Sequence, residues 1–162
     1  MKPYIYSFTL TLLLVLLSWG TVANAQSKTS AGLTLAQASV NNPKLAEAIN
    51  KAGLMPLLTG TGPYTFFAPS DAALKELSGK SAEATREILM GHIVEGSYTT
   101  ADLHDGRTLT TIGKQTIKIF RKKDKVLLNG RRIINPNQPS RNGIMHTVDN
   151  LLVKELSNLS LL

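Results

Sequence analysis

The sequence predicts an α+β domain, and three observations carry that expectation. In the first half, apolar residues recur at helical spacing, as at Leu45, Ala48, Ile49 and Ala52. In the second half they alternate, with Ile117 and Ile119 on one face and Lys118 on the other. Between the halves, residues 64–74 change character at Pro69, from an aromatic, apolar run fit for a buried strand to a run of helix formers. Helices clustered before strands, rather than alternating with them, read as α+β.

The chain opens differently. Lys2 is followed by a short apolar run over 8–17 and then by Ala23-Asn24-Ala25, the pattern of a secretory signal peptide cleaved after Ala25. The run is well short of the ~20 residues that a membrane span needs. No second long apolar stretch follows, so no transmembrane segment is expected after cleavage. With 162 residues, 43% of them hydrophobic, the remainder is one globular domain. It contains no cysteine, which excludes a disulfide framework, a thiolate metal site and a lipidated thiol. The formal charge is +7.

Residues 26–32 read as a flexible leader. A helical pattern covers 33–40 and is broken by Asn41-Asn42-Pro43. A stronger one covers 44–52, with Gly53 closing it. Residues 54–58 are a short apolar turn or helical stub, and 59–63 a loop leading to the strand at Tyr64. Pro69 biases Ala68 away from helix, and Ser70 or Asp71 caps a helix over 71–77. Ser81 begins a partial capping box, with Ala84 where Glu would be ideal, and a helix follows to Met90. Residues 91–96 switch to strand, and 97–103 form a turn with a short helix. Strands are expected over 108–112, 115–121, 126–129 and 131–135, with Asn129-Gly130 as a two-residue hairpin turn. Residues 135–140 read as a loop, and 144–148 and 151–153 as final short strands.

Ser70, His146 and Asp149 are the residue types of a hydrolase, but no G-x-S-x-G motif frames a nucleophile. The structural alternative is that Asp71 caps its helix and His146 is a core histidine bonded to backbone or to Asp71, so that His146 meets the Ser70-Asp71 corner. His92, His104 and His146 follow no metal-ligand spacing. Residues 114–132 are strongly basic: Lys118, Arg121, Lys122, Lys123, Lys125, Arg131 and Arg132, with Lys114, stand against Asp124. If Lys118, Arg121 and the 121–123 turn share a face with Arg131, they form a patch for a polyanion such as acidic polysaccharide or lipopolysaccharide phosphate. The alternative is a solvated hairpin whose lysines protect an edge strand. Nucleic acid is not the expected partner, because Phe120 is the only aromatic within the stretch. Asn158-Leu159-Ser160 is a glycosylation sequon.

Two stretches carry a family resemblance. Thr65-Phe66-Phe67-Ala68-Pro69-Ser70-Asp71-Ala72-Ala73-Leu74 resembles T-x-F-A-P-[TS]-D-x-A-[FL], the first signature box of the fasciclin domain. Asn142-Gly143-Ile144-Met145-His146-Thr147-Val148-Asp149-Asn150-Leu151-Leu152 resembles the second, N-G-x-[IV]-H-x-[IV]-D-x-[VL]-L. The family's amino-terminal pattern also fits 35–58. Two departures stand out: Gly91 precedes His92 where the family often has Tyr, and Val153-Lys154-Glu155 follows where it usually leads to proline.

The resemblance implies a fasciclin-like domain over 33–155 with a tail at 156–162, built as a wedge of two β-sheets with helices packed on it. The boxes would lie side by side in its core, making Phe67, Ala68, Pro69, Ser70, Asp71, His92, Asn142, Gly143, His146 and Asp149 structural motif residues. It further implies a non-enzymatic adhesion or binding module without a cofactor, periplasmic or secreted. Its partner would be an extracellular or envelope protein or an acidic polysaccharide. A secreted Ser/His/Asp hydrolase and a purely structural envelope component are the alternatives.

Overall fold

In a computed structural model, described here for residues 32–152, five short helices precede or interrupt seven strands. The signal peptide, nearly all of the leader, Val153–Glu155, the tail and the Asn158 sequon lie outside the described residues.

Local chemistry sets each helix boundary. Helix α1 (Leu35–Ser39) opens on a full capping box between Thr34 and Gln37. Helix α2 (Pro43–Lys51) follows at once, because Asn42 caps the N–H groups of Lys44 and Leu45 while Pro43 fills the first turn. Gly53 (φ 64°) ends it. Helix α3 (Met55–Thr59) leads to strand β1 (Tyr64–Pro69). Ser70, and not Asp71, is the cap of α4 (Asp71–Leu74), Asp71 being the first residue of the helix, which tightens into a 3-10 turn over Lys75–Leu77. Ser81 caps α5 (Ala82–Met90) through the Ala84 N–H.

The strands are β2 (Ile93–Glu95), β3 (Thr108–Thr110), β4 (Thr116–Lys122), β5 (Lys125–Leu128), β6 (Arg131–Ser140) and β7 (Gly143–Val148). Their order is β2-β1-β7-β6-β5-β4-β3, and the two ends approach each other at a bridge between Val94 and Thr111. The two expected sheets are thus two walls of one curled sheet, a near-barrel wedge. The expected turn at Asn129-Gly130 has positive φ at both residues, as a tight hairpin needs.

Three expectations need correction. Residues 135–140 belong to β6 rather than to a loop. Register shifts between Ile133 and Asn135 and between Asn135 and Gln138 absorb the irregularity. Beyond Arg132 this strand is laddered to β7 alone, so Pro136 and Pro139 leave no donor missing on the other side. Leu151 and Leu152 are buried but not in a strand. The short helix expected within 97–103 is a set of turns.

Two cores flank β1. Phe66 and Phe67 are successive strand residues, so they point to opposite faces, and both are fully buried. Phe66 packs with the helices, against Leu35, Ile49, Leu58 and Leu89. Phe67 packs inside the curled sheet with Leu103, Ile119, Leu128 and Val148. The described members of both clusters fall between Leu35 and Leu152.

Candidate binding surface

The two sequence boxes meet. β1 and β7 pair in parallel, with Phe67 opposite His146 and Pro69 opposite Val148. Ser70 fastens the corner: its N–H donates to the Val148 carbonyl (2.9 Å) and its hydroxyl to the Asp149 carbonyl (2.8 Å). The Asp149 carboxylate accepts from the Arg132 N–H (3.0 Å).

His146 is a core histidine, as one sequence reading held, but it does not bond Asp71. Its Nδ1 accepts the Asn137 N–H (3.2 Å), which places the proton on Nε2, where it is donated to the Tyr98 carbonyl (2.8 Å). The Phe67 ring stacks on it at 5.5 Å. Asp71 instead receives the Asn42 side-chain amide, tying the start of α4 to the start of α2. His92 is held similarly. Its Nδ1 donates to the Ile88 carbonyl (2.8 Å) and its Nε2 accepts the Leu152 N–H (2.9 Å). Burial lowers its pKa to about 4 against the opposing effect of the Ile88 bond, and burial lowers that of His146 as well. Both rings are neutral braces between backbone segments. The Ser70 hydroxyl goes to the Asp149 carbonyl and both His146 ring nitrogens go to backbone of Asn137 and Tyr98, so the three residues do not form a nucleophile–base–carboxylate relay.

Asn142 is the most connected motif residue. Its Oδ1 accepts the Leu35 N–H, and its Nδ2 donates to the Leu58 and Gly60 carbonyls, each at 2.8 Å. Gly143 (φ 153°) passes so close to the Tyr64 carbonyl that a Cβ would collide with it. Phe67, Ala68, Pro69 and Asn142 are buried, which leaves the box junction as framework rather than surface.

The basic stretch lies elsewhere, on β4, β5 and the start of β6, and the structure divides it. On β4, Ile117 and Ile119 face the inner core while Lys118, Phe120 and Lys122 face out. Phe120 pairs with Leu127, and Leu127 with Arg132, so those three form an outward row across the strands. Lys122 pairs with Lys125 at the adjoining end, and Lys123 (φ 54°) sits in the turn between them. Lys118, Lys122, Lys125 and Arg132 therefore share one exposed face. Arg121 does not, because it is an odd number of residues from Lys118 on a period-2 strand. Its Nη1 donates to the Thr100 (2.6 Å) and Leu103 (3.0 Å) carbonyls, and its N–H donates to Asp105 (2.7 Å). Arg121 thus anchors the 99–105 turns. Asp102 braces the same turns, its carboxyl held below the usual range by the Thr99 hydroxyl and N–H. Arg131 pairs with the buried Leu128 and lies on the inward side.

Sequence reasoning missed the apolar part of this outer face. Phe120 is 41% exposed and Ile134 45% exposed. The signal was present as outward parity: Phe120 lies between Lys118 and Lys122, and Ile134 is two residues beyond Arg132.

Residues 41–154 match the fasciclin domain as a family. The chain is 30% identical over 119 residues to transforming growth factor-beta-induced protein ig-h3 of Sus scrofa, covering 68% of this chain and 17% of that protein. It is 27% identical over 142 residues to protein sll1483 of Synechocystis, covering 80% and 78% respectively. Periostin of Homo sapiens is 29% identical over 113 residues, covering 64% of this chain and 14% of that protein. The fold also matches a FAS1 domain pair from the insect cell adhesion molecule Fasciclin I, with a TM-score of 0.63 at 20% identity, over 77% of this chain and 52% of that one. Against the animal proteins, the chain thus spans only a minor part of the relative's length.

Proposed function

This chain belongs to the fasciclin domain family, and on that premise we propose that it is an exported, non-enzymatic adhesion module that binds polyanions through the outer face of β4, β5 and β6. The observation that carries the proposal is the set of exposed cations Lys118, Lys122, Lys125 and Arg132 on one sheet face, with Lys123 at its tip. Such a field raises the local concentration of acidic polymers and is screened by salt. The signal pattern before Gln26 supports export. Among the described residues, no helix is long and apolar enough to cross a membrane. The likeness to a domain pair of an insect cell adhesion molecule supports a contact role over a catalytic one.

The test is binding of the chain from Gln26 to a panel of acidic and neutral glycans at two salt concentrations. Binding to acidic members should collapse as salt rises and weaken in Lys122→Gln/Lys123→Gln. Binding to no glycan would overturn the polysaccharide reading and leave the lysines as a solvated face, since β4 and β5 are interior strands of the sheet. Labelling of Ser70 by a serine-directed covalent probe would overturn the non-enzymatic one.

A further inference from the structure

The outer face of β4, β5 and β6 carries more than charge. Phe120 and Ile134 are both on it and both substantially exposed, with Leu127 half-buried beside Phe120. Ile134 has the outward parity of Arg132, since the intervening Ile133 packs into the inner core. Cations surround these apolar groups. The Lys118 ammonium lies 5.2 Å from the Phe120 ring centroid, which lays its stem alongside the ring. Lys122 and Lys125 form the next row towards the turn, and Arg132 closes the Phe120–Leu127 row on β6. The nearby acids are Asp124, beside Lys123 in the turn, and Asp149, whose carboxylate accepts the Arg132 backbone N–H, so the cations outnumber them.

We infer that this face docks onto an anionic lipid bilayer, with Lys118, Lys122, Lys125 and Arg132 at the headgroup phosphates and Phe120 and Ile134 at the acyl boundary. The inference rests on the reading that this face meets polyanions, and it names the polyanion. A soluble acidic polymer engages the ammonium groups and leaves Phe120 and Ile134 in water. A bilayer takes both kinds of group at once: apolar side chains enter the interface while lysine stems lie along them and the charged heads stay wet.

The experiment is sedimentation of the chain from Gln26 with vesicles of pure phosphatidylcholine and of equal parts phosphatidylcholine and phosphatidylglycerol, alongside binding to dextran sulfate. The first 25 residues are omitted because their apolar run would bind lipid unaided, and every described core residue lies between Leu35 and Leu152. The chain should bind the anionic vesicles and not the neutral ones. Phe120→Ser/Ile134→Ser should weaken vesicle binding about tenfold while leaving dextran sulfate binding intact. Lys122→Gln/Lys125→Gln should weaken vesicle binding by roughly fivefold per charge and dextran sulfate binding too. All four positions are at the surface, and unchanged urea midpoints would confirm that the variants fold. Dextran sulfate binding without vesicle binding would overturn the lipid inference and spare the polyanion reading. Binding to neither would overturn both. Vesicle binding indifferent to Phe120→Ser/Ile134→Ser would overturn apolar insertion.

Discussion

Replacing Asn142 by Ala should be among the most damaging single changes in the domain. The side chain joins three separate segments: the start of α1 at Leu35, the end of α3 at Leu58, and the loop at Gly60. A hydrogen bond of this kind is worth about 0.5–1.5 kcal/mol net, so three give roughly 1.5–4.5 kcal/mol. The residue is buried, and its bonds to Leu35 and Leu58 are buried as well. Truncation therefore strands donors and acceptors away from water, at about 1–3 kcal/mol for each group left unpaired. We expect a loss of about 3–5 kcal/mol, a large share of the roughly 5–15 kcal/mol available to a domain. Asn142→Asp tests the cause without changing the shape. It keeps an acceptor for Leu35 but turns a carboxylate oxygen towards two carbonyls, so it should be at least as harmful. The assay is urea unfolding of both variants, compared at equal slope. A loss under about 1 kcal/mol for Asn142→Ala would refute the three-way tie as a source of stability.

Two further outcomes follow from the same framework. His92 titrates near 6.5 when unfolded and near 4 when folded. Between those values the unfolded chain holds the extra proton, so stability is full above about pH 6.5 and falls by about 3 kcal/mol by pH 4. Burial of His146 adds in the same direction. Urea midpoints measured from pH 7.5 to 4 should drop accordingly, and a flat profile would count against neutral buried histidines. Gly143→Ala should cost at least about 3 kcal/mol, because the new Cβ meets the Tyr64 carbonyl and the backbone at φ 153° disfavours any side chain. A thermal midpoint within a few degrees of the parent would show that β1 and β7 can separate to admit it.

Local chemistry was readable from sequence wherever partners are near in the chain. The Ser70 and Ser81 caps, the Asn129-Gly130 turn and the alternation of Ile117 and Ile119 each depend on residues within a few positions. Asn41-Asn42-Pro43 was legible as a break, and only its second role was hidden: Asn42 also caps α2 and holds Asp71. Long-range partners were not legible. Asn142 was singled out by its motif, yet Leu35 lies 107 residues away. Of the two partners expected for His146, backbone or Asp71, it takes backbone, but Tyr98 and Asn137, which hold both ring nitrogens, come from turns and an irregular strand with no sequence period to name them. The two prolines of β6 read as a loop because a strand with only one laddered side is a tertiary fact. Of the proposed surface, the charges were legible. Their division between faces needed only strict alternation along β4, which places Lys118 and Phe120 on one side and Arg121 on the other, over the 99–105 turns.

The parallel pairing of β1 with β7 also sets a timetable. β1 is the wall shared by both cores, and β2 covers one of its sides soon after it is made. Its other side waits for Gly143–Val148, almost the last described segment to be synthesised. Until then, Phe66 and Phe67 lie on a strand with an open edge, and neither core can close. Contacts of such long sequence separation slow folding. A domain whose two cores both wait for Gly143–Val148 keeps Phe66 and Phe67 open to other partners for as long as that segment is missing.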